Sequence, residues 1–112
     1  MDTTGLEHRG IEEEWMASSF AFQMGNIGSE VSRALKNFDK PKRFEGAFKR
    51  ALELYDLSIE CAVKKKHKGE LKELCRAREE FCDYFNGNSF ETNPRMMQKY
   101  YDQFAMLALK EA

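Results

Sequence analysis

Apolar residues recur every three or four positions along most of the chain, a spacing that places them on one face of an α-helix. This pattern predicts helices over residues 11–38, 41–66, 69–85 and 94–111, and no stretch alternates polar and apolar residues as a strand would. The predicted connections are short, so consecutive helices are expected to pack as antiparallel neighbours. The sequence therefore predicts an all-α protein, an antiparallel (up-down) four-helix bundle.

Capping residues support the predicted helix ends. Asp39 is a candidate N-cap for the second helix, with Pro41 in its first turn, and Asn93 followed by Pro94 starts the fourth helix in the same manner. Gly69 follows a run of cationic residues and marks the predicted break between the second and third helices.

The composition is that of a folded domain without a strong electrostatic preference. Of 112 residues, 42% are hydrophobic, and 18 Lys and Arg against 19 Asp and Glu leave a formal net charge of −1. This balance disfavours nucleic acid and anionic membranes as partners, and no apolar run approaches the roughly 20 residues of a membrane helix. Three cysteines without metal-type spacing favour free thiols in a reducing cytoplasm. We interpret residues 1–10 as a flexible lead-in and residues 11–112 as one helical domain.

The first predicted helix carries a row of small residues beside its core stripe, formed by Ala21, Gly25, Gly28 and Ser32. Each interior glycine costs a helix about 1 kcal/mol relative to alanine, so something should offset that cost. A second helix that approaches closely is one explanation, and a ligand lying against bare backbone is the other.

The opposite face of this helix is polar but holds two large aromatic residues, Trp15 and Phe22, together with Gln23 and Asn26. Aromatic side chains on a polar face need cover. Either neighbouring helices flank the helix on both sides, or the protein forms a homodimer through this face. The polar residues could instead line a cleft.

Arg78 lies near the middle of the apolar stripe of the third predicted helix. A guanidinium there must be paired or must reach water along its apolar stem, and Glu30 and Asp102 are candidate partners. The structural interpretations are an ion pair inside the bundle or a side chain that reaches the surface. The functional interpretation is a site for an anion or phosphate, to which Arg33 on the polar side of the first helix would contribute.

No residue pattern indicates catalysis. His8 and His67 stand apart from other metal ligands, the serines have no nearby base, and no glycine-rich phosphate loop follows a strand. We therefore predict no metal and no cofactor. The run of cations at positions 64–68 could contact phosphate, but a helix C-terminus favours cations in any case.

The aromatic-rich first helix, the long amphipathic second helix and the arginine inside the third resemble the HEPN domains, which are helical bundles of prokaryotic defence and nucleotide-processing systems. The resemblance covers residues 11–109. Ribonuclease members carry an arginine followed, after about four to six residues, by a histidine. After Arg76 and Arg78 the corresponding positions hold Phe81, Cys82, Asp83, Tyr84 and Phe85, with no histidine among them. The resemblance therefore implies an inactive relative that binds a partner.

Two functions follow as hypotheses. The first is a non-enzymatic helical interaction module that associates with itself, or with an unidentified protein, through a face of the first helix. The second is a HEPN-type protein that binds nucleotide or processes RNA, with Arg78 or Arg33 holding phosphate.

Overall fold

The computed structural model describes residues 12–112, and all the regular elements among them are helices. Helix α1 covers residues 12–17, followed by α2 (Phe20–Lys36), α3 (Pro41–Lys65), α4 (Lys68–Phe85) and α5 (Pro94–Glu111). The predicted all-α class is confirmed. The prediction of four helices is wrong for the described residues, because the segment predicted as one helix over 11–38 forms two. The predicted lead-in lies outside the described residues.

Two adjacent serines separate α1 from α2. Ser19 is the N-cap of α2, and its hydroxyl oxygen accepts a hydrogen bond from the backbone N–H of Phe22 at 3.1 Å. The Ser18 hydroxyl donates to the carbonyl of Trp15 and satisfies a backbone group at the end of α1. Both bonds offer the backbone an alternative to a continuous helix, which is the known preference of serine at helix ends.

The starts of α3 and α5 differ in their caps. The Asn93 side chain accepts from the backbone N–H groups of Arg95 and Met96, with Pro94 as the first helical residue, so the predicted start of α5 is confirmed. Helix α3 begins with proline as predicted, but its N-cap is Lys40, which makes no side-chain capping bond. The prediction that Asp39 caps this helix is therefore wrong.

The break between α3 and α4 is made by a lysine. Lys66 adopts a left-handed conformation with a φ of 59°, and its backbone N–H bonds back into the last turn of α3. His67 is the N-cap of α4, which places Gly69 inside the first turn of that helix. The prediction that Gly69 marks the break is wrong by two to three residues, because the closing turn is completed before the glycine.

One apolar core joins α2, α3, α4 and α5. Helix α2 contacts both α3 and α5, and α3 contacts α4. The largest fully buried side chains come from three of these helices: Met24, Ile27 and Val31 from α2, Tyr55 and Ser58 from α3, and Leu74 and Phe81 from α4. No helix of the described part of the chain is long and apolar enough to cross a membrane. The position of α2 between α3 and α5 decides which of its residues reach the surface.

Candidate functional site

The small residues of α2 face α5 at short range. A β-carbon at Gly28 would lie 2.5 Å from Cβ of Tyr101, and one at Gly25 would lie 3.2 Å from Cα of Ala105. The two positions on α5 fall in number as those on α2 rise, so the two helices run in opposite directions. The glycines therefore allow α5 to approach the backbone of α2 more closely than any larger residue would permit.

A shallow groove of about 290 Å³ follows the outer side of this contact, and Ser32 of the small-residue row lines it, whereas Ala21 is buried. The groove has a floor of small residues and carries charges of both signs. Its lining includes Gly25, Ser29, Ser32, Arg33 and Lys36 from α2, and Gln98, Asp102 and Ala105 from α5. A surface of this kind is concave, and its floor offers mostly backbone and short side chains.

Exposed apolar side chains lie at one end of the groove. Phe22 is 48% exposed and stands one turn before Gly25, while Leu109 is 78% exposed and stands one turn after Ala105. Because the helices run in opposite directions, both residues lie at the same end. Met106, one turn after Asp102, is also exposed. We call the surface formed by Phe22, the groove lining, Met106 and Leu109 the α2–α5 face.

Trp15 does not belong to this face. It is 8% exposed, and its indole N–H donates to Oγ of Ser58 on α3 at 2.8 Å. Its ring centroid lies 6.2 Å from that of Phe22, so the exposed Phe22 ring packs beside the buried indole. The sequence left two alternatives for covering Trp15 and Phe22, a neighbouring helix or a second copy of the protein. For Trp15 the cover is a neighbouring helix, α3.

The two polar residues predicted beside these aromatics also separate. Gln23 is buried, and its Nε2 donates to the carbonyl of Trp15 at 2.7 Å. Asn26 is only partly buried, and its Nδ2 donates to the carbonyl of Phe22 at 2.8 Å. Among the four predicted interface residues, Phe22 and Asn26 are therefore the ones that reach the surface.

Glu30 holds a small charge cluster between α2 and α3. Its carboxylate side chain is mostly buried and accepts from Arg33 Nη1 at 2.7 Å and from Arg50 Nε at 3.3 Å. The two guanidinium groups compensate the desolvated carboxylate, as a buried charge requires. The Glu30–Arg50 pair joins α2 to α3 on the face of α2 that the sequence predicts to be polar.

Arg78 lies elsewhere, at the edge between α3 and α4. Its side chain is 36% exposed, and its Nε donates to Oδ1 of Asp56 at 3.0 Å. Its partner is thus neither Glu30 nor Asp102, whose own carboxylate accepts from Gln98. The structure does not bring the four predicted polar residues together: Arg33 and Asp102 share the groove, Glu30 lies behind Arg33, and Arg78 is on another surface.

The thiols show little sign of nucleophilic chemistry. Burial raises the pKa of the Cys61 and Cys82 thiols, which disfavours the reactive thiolate. Cys75 is exposed. Within residues 12–112, no three His, Cys, Asp or Glu side chains come together as ligands for a metal ion.

Two residues of the α2–α5 face, Met106 and Leu109, were not among the residues predicted from the sequence. Each stands one helical turn after a residue that lines the groove, Asp102 and Ala105 respectively. That spacing is visible in the sequence and could have placed them beside the groove. What it could not show is which side of α5 contacts α2.

No family model, curated protein or solved structure matches this chain. The resemblance to HEPN domains therefore stays a prediction.

Proposed function

We propose that this protein is a non-enzymatic interaction module that forms a homodimer through the α2–α5 face. The observation that carries the proposal is Phe22, an exposed aromatic ring that lies at the same end of the groove as exposed Leu109. Exposed apolar patches mark interaction surfaces, and aromatic residues are enriched at the centres of interfaces. In this proposal α2 to α5 form an up-down bundle whose outer α2 and α5 surface is the contact.

The distribution of charge on this face supports a two-fold arrangement. Phe22 and Leu109 lie at one end, whereas Arg33 and Asp102 lie toward the other. A two-fold axis near the apolar end would bring Phe22 of one copy against Leu109 of the other and leave the charges at the rim. An apolar centre with a polar rim is the usual organisation of protein interfaces.

The small groove floor favours a helix as the element that docks there. Gly25, Ser29 and Ala105 leave little side-chain bulk between α2 and α5. A helix of the second copy could therefore rest its side chains in the groove, as ridges pack into grooves elsewhere in helical proteins.

The mass of the protein in solution tests the proposal. Size-exclusion chromatography with light scattering should report twice the chain mass of 13.1 kDa for the native protein and the chain mass for Phe22→Glu and Leu109→Glu. Met96→Glu is the matched control, because Met96 on α5 is 64% exposed, between Phe22 and Leu109, but lies in the first turn of that helix, away from the apolar end of the face. A native monomer at millimolar concentration, or dissociation by the control alone, would overturn the proposal.

The HEPN-type alternative ranks second. It needs an arginine free to hold phosphate, whereas Arg33 and Arg78 donate to the carboxylates of Glu30 and Asp56. Binding and cleavage of a labelled RNA panel at two salt concentrations tests this alternative, since phosphate contacts weaken as salt rises.

A further inference from the structure

A cavity of about 390 Å³ lies at the end of the bundle where α2 begins. The start of α2, the last turns of α3, the first turn of α4 and the last turns of α5 surround it. This volume lies within the usual range for sites that bind small molecules, roughly 300 to 1,000 Å³. The cavity lies at the same end of the bundle as Phe22 and Leu109 of the α2–α5 face, so its occupant is tested separately from the dimer.

One part of its wall is apolar and includes aromatic rings. Phe20 and Phe104 meet edge to face with ring centroids 5.5 Å apart, and Leu107 lines the cavity beside them. Phe20 and Phe104 are partly buried and pack against the core. These residues provide a surface for an apolar group of about one ring.

Buried polar side chains also line this cavity. Ser58 accepts a hydrogen bond from the indole of Trp15, and Gln23 Nε2 donates to the Trp15 carbonyl. This bond uses one of the two amide N–H groups of Gln23, whereas its amide oxygen accepts from no group among the described hydrogen bonds and can accept from a bound molecule. That oxygen is an acceptor, so the position favours a ligand that carries a hydrogen-bond donor.

The rim of the cavity carries more negative than positive charge. Glu70 and Glu111 contribute two carboxylates, and Lys65 contributes one ammonium group. The Lys65 ammonium donates to the carbonyl of Met16. His67 Nδ1 lies 3.0 Å from a carboxylate oxygen of Glu70, which orients that carboxylate at the rim. A cation therefore fits this rim better than an anion does.

We propose that the cavity binds a small organic amine, a molecule with one apolar ring or branched chain and one ammonium group. The apolar part lies against Phe20, Phe104 and Leu107. The ammonium group faces the carboxylates of Glu70 and Glu111, with the Gln23 amide oxygen as a further acceptor. Aromatic rings beside an ammonium group add to the attraction.

Trp15 provides a direct readout of binding. It is the single tryptophan of the chain, and both groups that hold it, Ser58 and Gln23, line the cavity. A molecule that contacts either of them changes the surroundings of the indole. Intrinsic fluorescence should therefore respond to occupancy without any added label.

The test is a fluorescence titration, repeated by calorimetry, with phenethylamine as the probe and phenylpropionate as its anionic counterpart of similar size. We expect saturable binding of the amine and none of the acid. In the double variant Glu70→Gln and Glu111→Gln, the dissociation constant for the amine should rise about tenfold, because two weak, partly exposed charge contacts are lost.

The double variant Glu79→Gln and Glu91→Gln is the matched control, since it makes the same charge change outside the cavity and should leave the affinity unaltered. Equal binding of amine and acid, or an equal loss in both double variants, would overturn the proposal. The Phe22→Glu protein should bind the amine as the native protein does. Failure of the homodimer and failure of this site are therefore distinguishable.

Discussion

Replacement of Gly28 by alanine tests whether the close contact of α2 and α5 is needed for the fold. The added methyl group would lie 2.5 Å from Cβ of Tyr101 and 3.1 Å from Cγ. Carbon atoms that are not bonded prefer about 3.5 to 4.0 Å, so the two helices would have to separate by roughly 1 Å. Tyr101 cannot turn away, because it is buried and its hydroxyl shares a hydrogen bond with Tyr55 in the core.

Two opposing effects determine the magnitude. Alanine favours the helix over glycine by about 1 kcal/mol, and overpacking of a tight contact costs about 1 to 3 kcal/mol. The obstruction is at a β-carbon close to the backbone rather than at the flexible end of a side chain, so the upper part of that range applies. We expect Gly28→Ala to lower the free energy of unfolding by about 2 kcal/mol, or roughly 8 °C or more in melting temperature.

Urea denaturation followed by circular dichroism measures this change, with two glycines as internal references. A β-carbon at Gly46 in α3 would meet only the Arg50 side chain, at 3.6 Å, so Gly46→Ala should stabilise the protein by about 0.5 to 1 kcal/mol. Gly25→Ala, at 3.2 Å from the backbone of Ala105, should fall between the two. If Gly28→Ala proves as stable as Gly46→Ala, the close contact between α2 and α5 does not limit the size of the residue at position 28.

Burial raises the pKa of the Tyr55 and Tyr101 hydroxyls, which stay neutral and share one hydrogen bond. Each single change to phenylalanine should lower the free energy of unfolding by about 1 to 3 kcal/mol, because it leaves the other hydroxyl without its partner. The double change should lower it by less than the sum of the two single changes. A double-mutant cycle by urea denaturation checks this, and strict additivity would contradict it. Mass spectrometry after timed alkylation should find Cys75 modified first and Cys61 last, because burial protects the Cys61 thiol and raises its pKa. The reverse order would contradict the burial of Cys61 and the exposure of Cys75. Hydrogen bonds from the following loop hold the pKa of Asp83 below its ordinary value. The ionised carboxylate therefore stabilises the fold at neutral pH, and this contribution is lost as the pH falls below about 4. Asp83→Asn should make the free energy of unfolding depend less on pH in that acid range, and an unchanged pH dependence would contradict the role of Asp83.

The helix ends show how far local chemistry predicts this fold. Asn93 with a following proline satisfies the first backbone N–H groups by itself, so its role could be inferred from two letters of sequence. Lys66 could not be inferred in that way, because a left-handed conformation at a lysine is imposed by the turn into α4 rather than by the residue. The break at Ser19 was hidden because the spacing from Met16 to Phe20 to Met24 continues through it.

The candidate site was less predictable than the helices, because it depends on which helices are neighbours. Periodicity grouped Trp15 with Phe22 on one side of a helix. It could not show that the chain turns between α1 and α2 at the serines, or that α3 covers Trp15 and leaves Phe22 exposed. Arg78 fell near the middle of an apolar stripe, yet it lies where α4 meets the edge of α3, and Asp56 is within its reach. The partner in a salt bridge between two helices depends on how the helices pack, which the residue pattern of one helix cannot show.

The serine break also affects how unfolding of this protein is measured. Helix α1 is short, and its contacts with the rest of the molecule include the hydrogen bonds of Trp15 with Ser58 and Gln23 and the bond from the Lys65 ammonium to the Met16 carbonyl. A helix this short opens at a lower free energy than the core, and it does so without global unfolding. Fluorescence from Trp15 therefore follows release of α1, whereas circular dichroism follows the whole bundle. In this chain a fluorescence midpoint below the circular dichroism midpoint would measure detachment of one helix, and only coincident midpoints would license a two-state analysis.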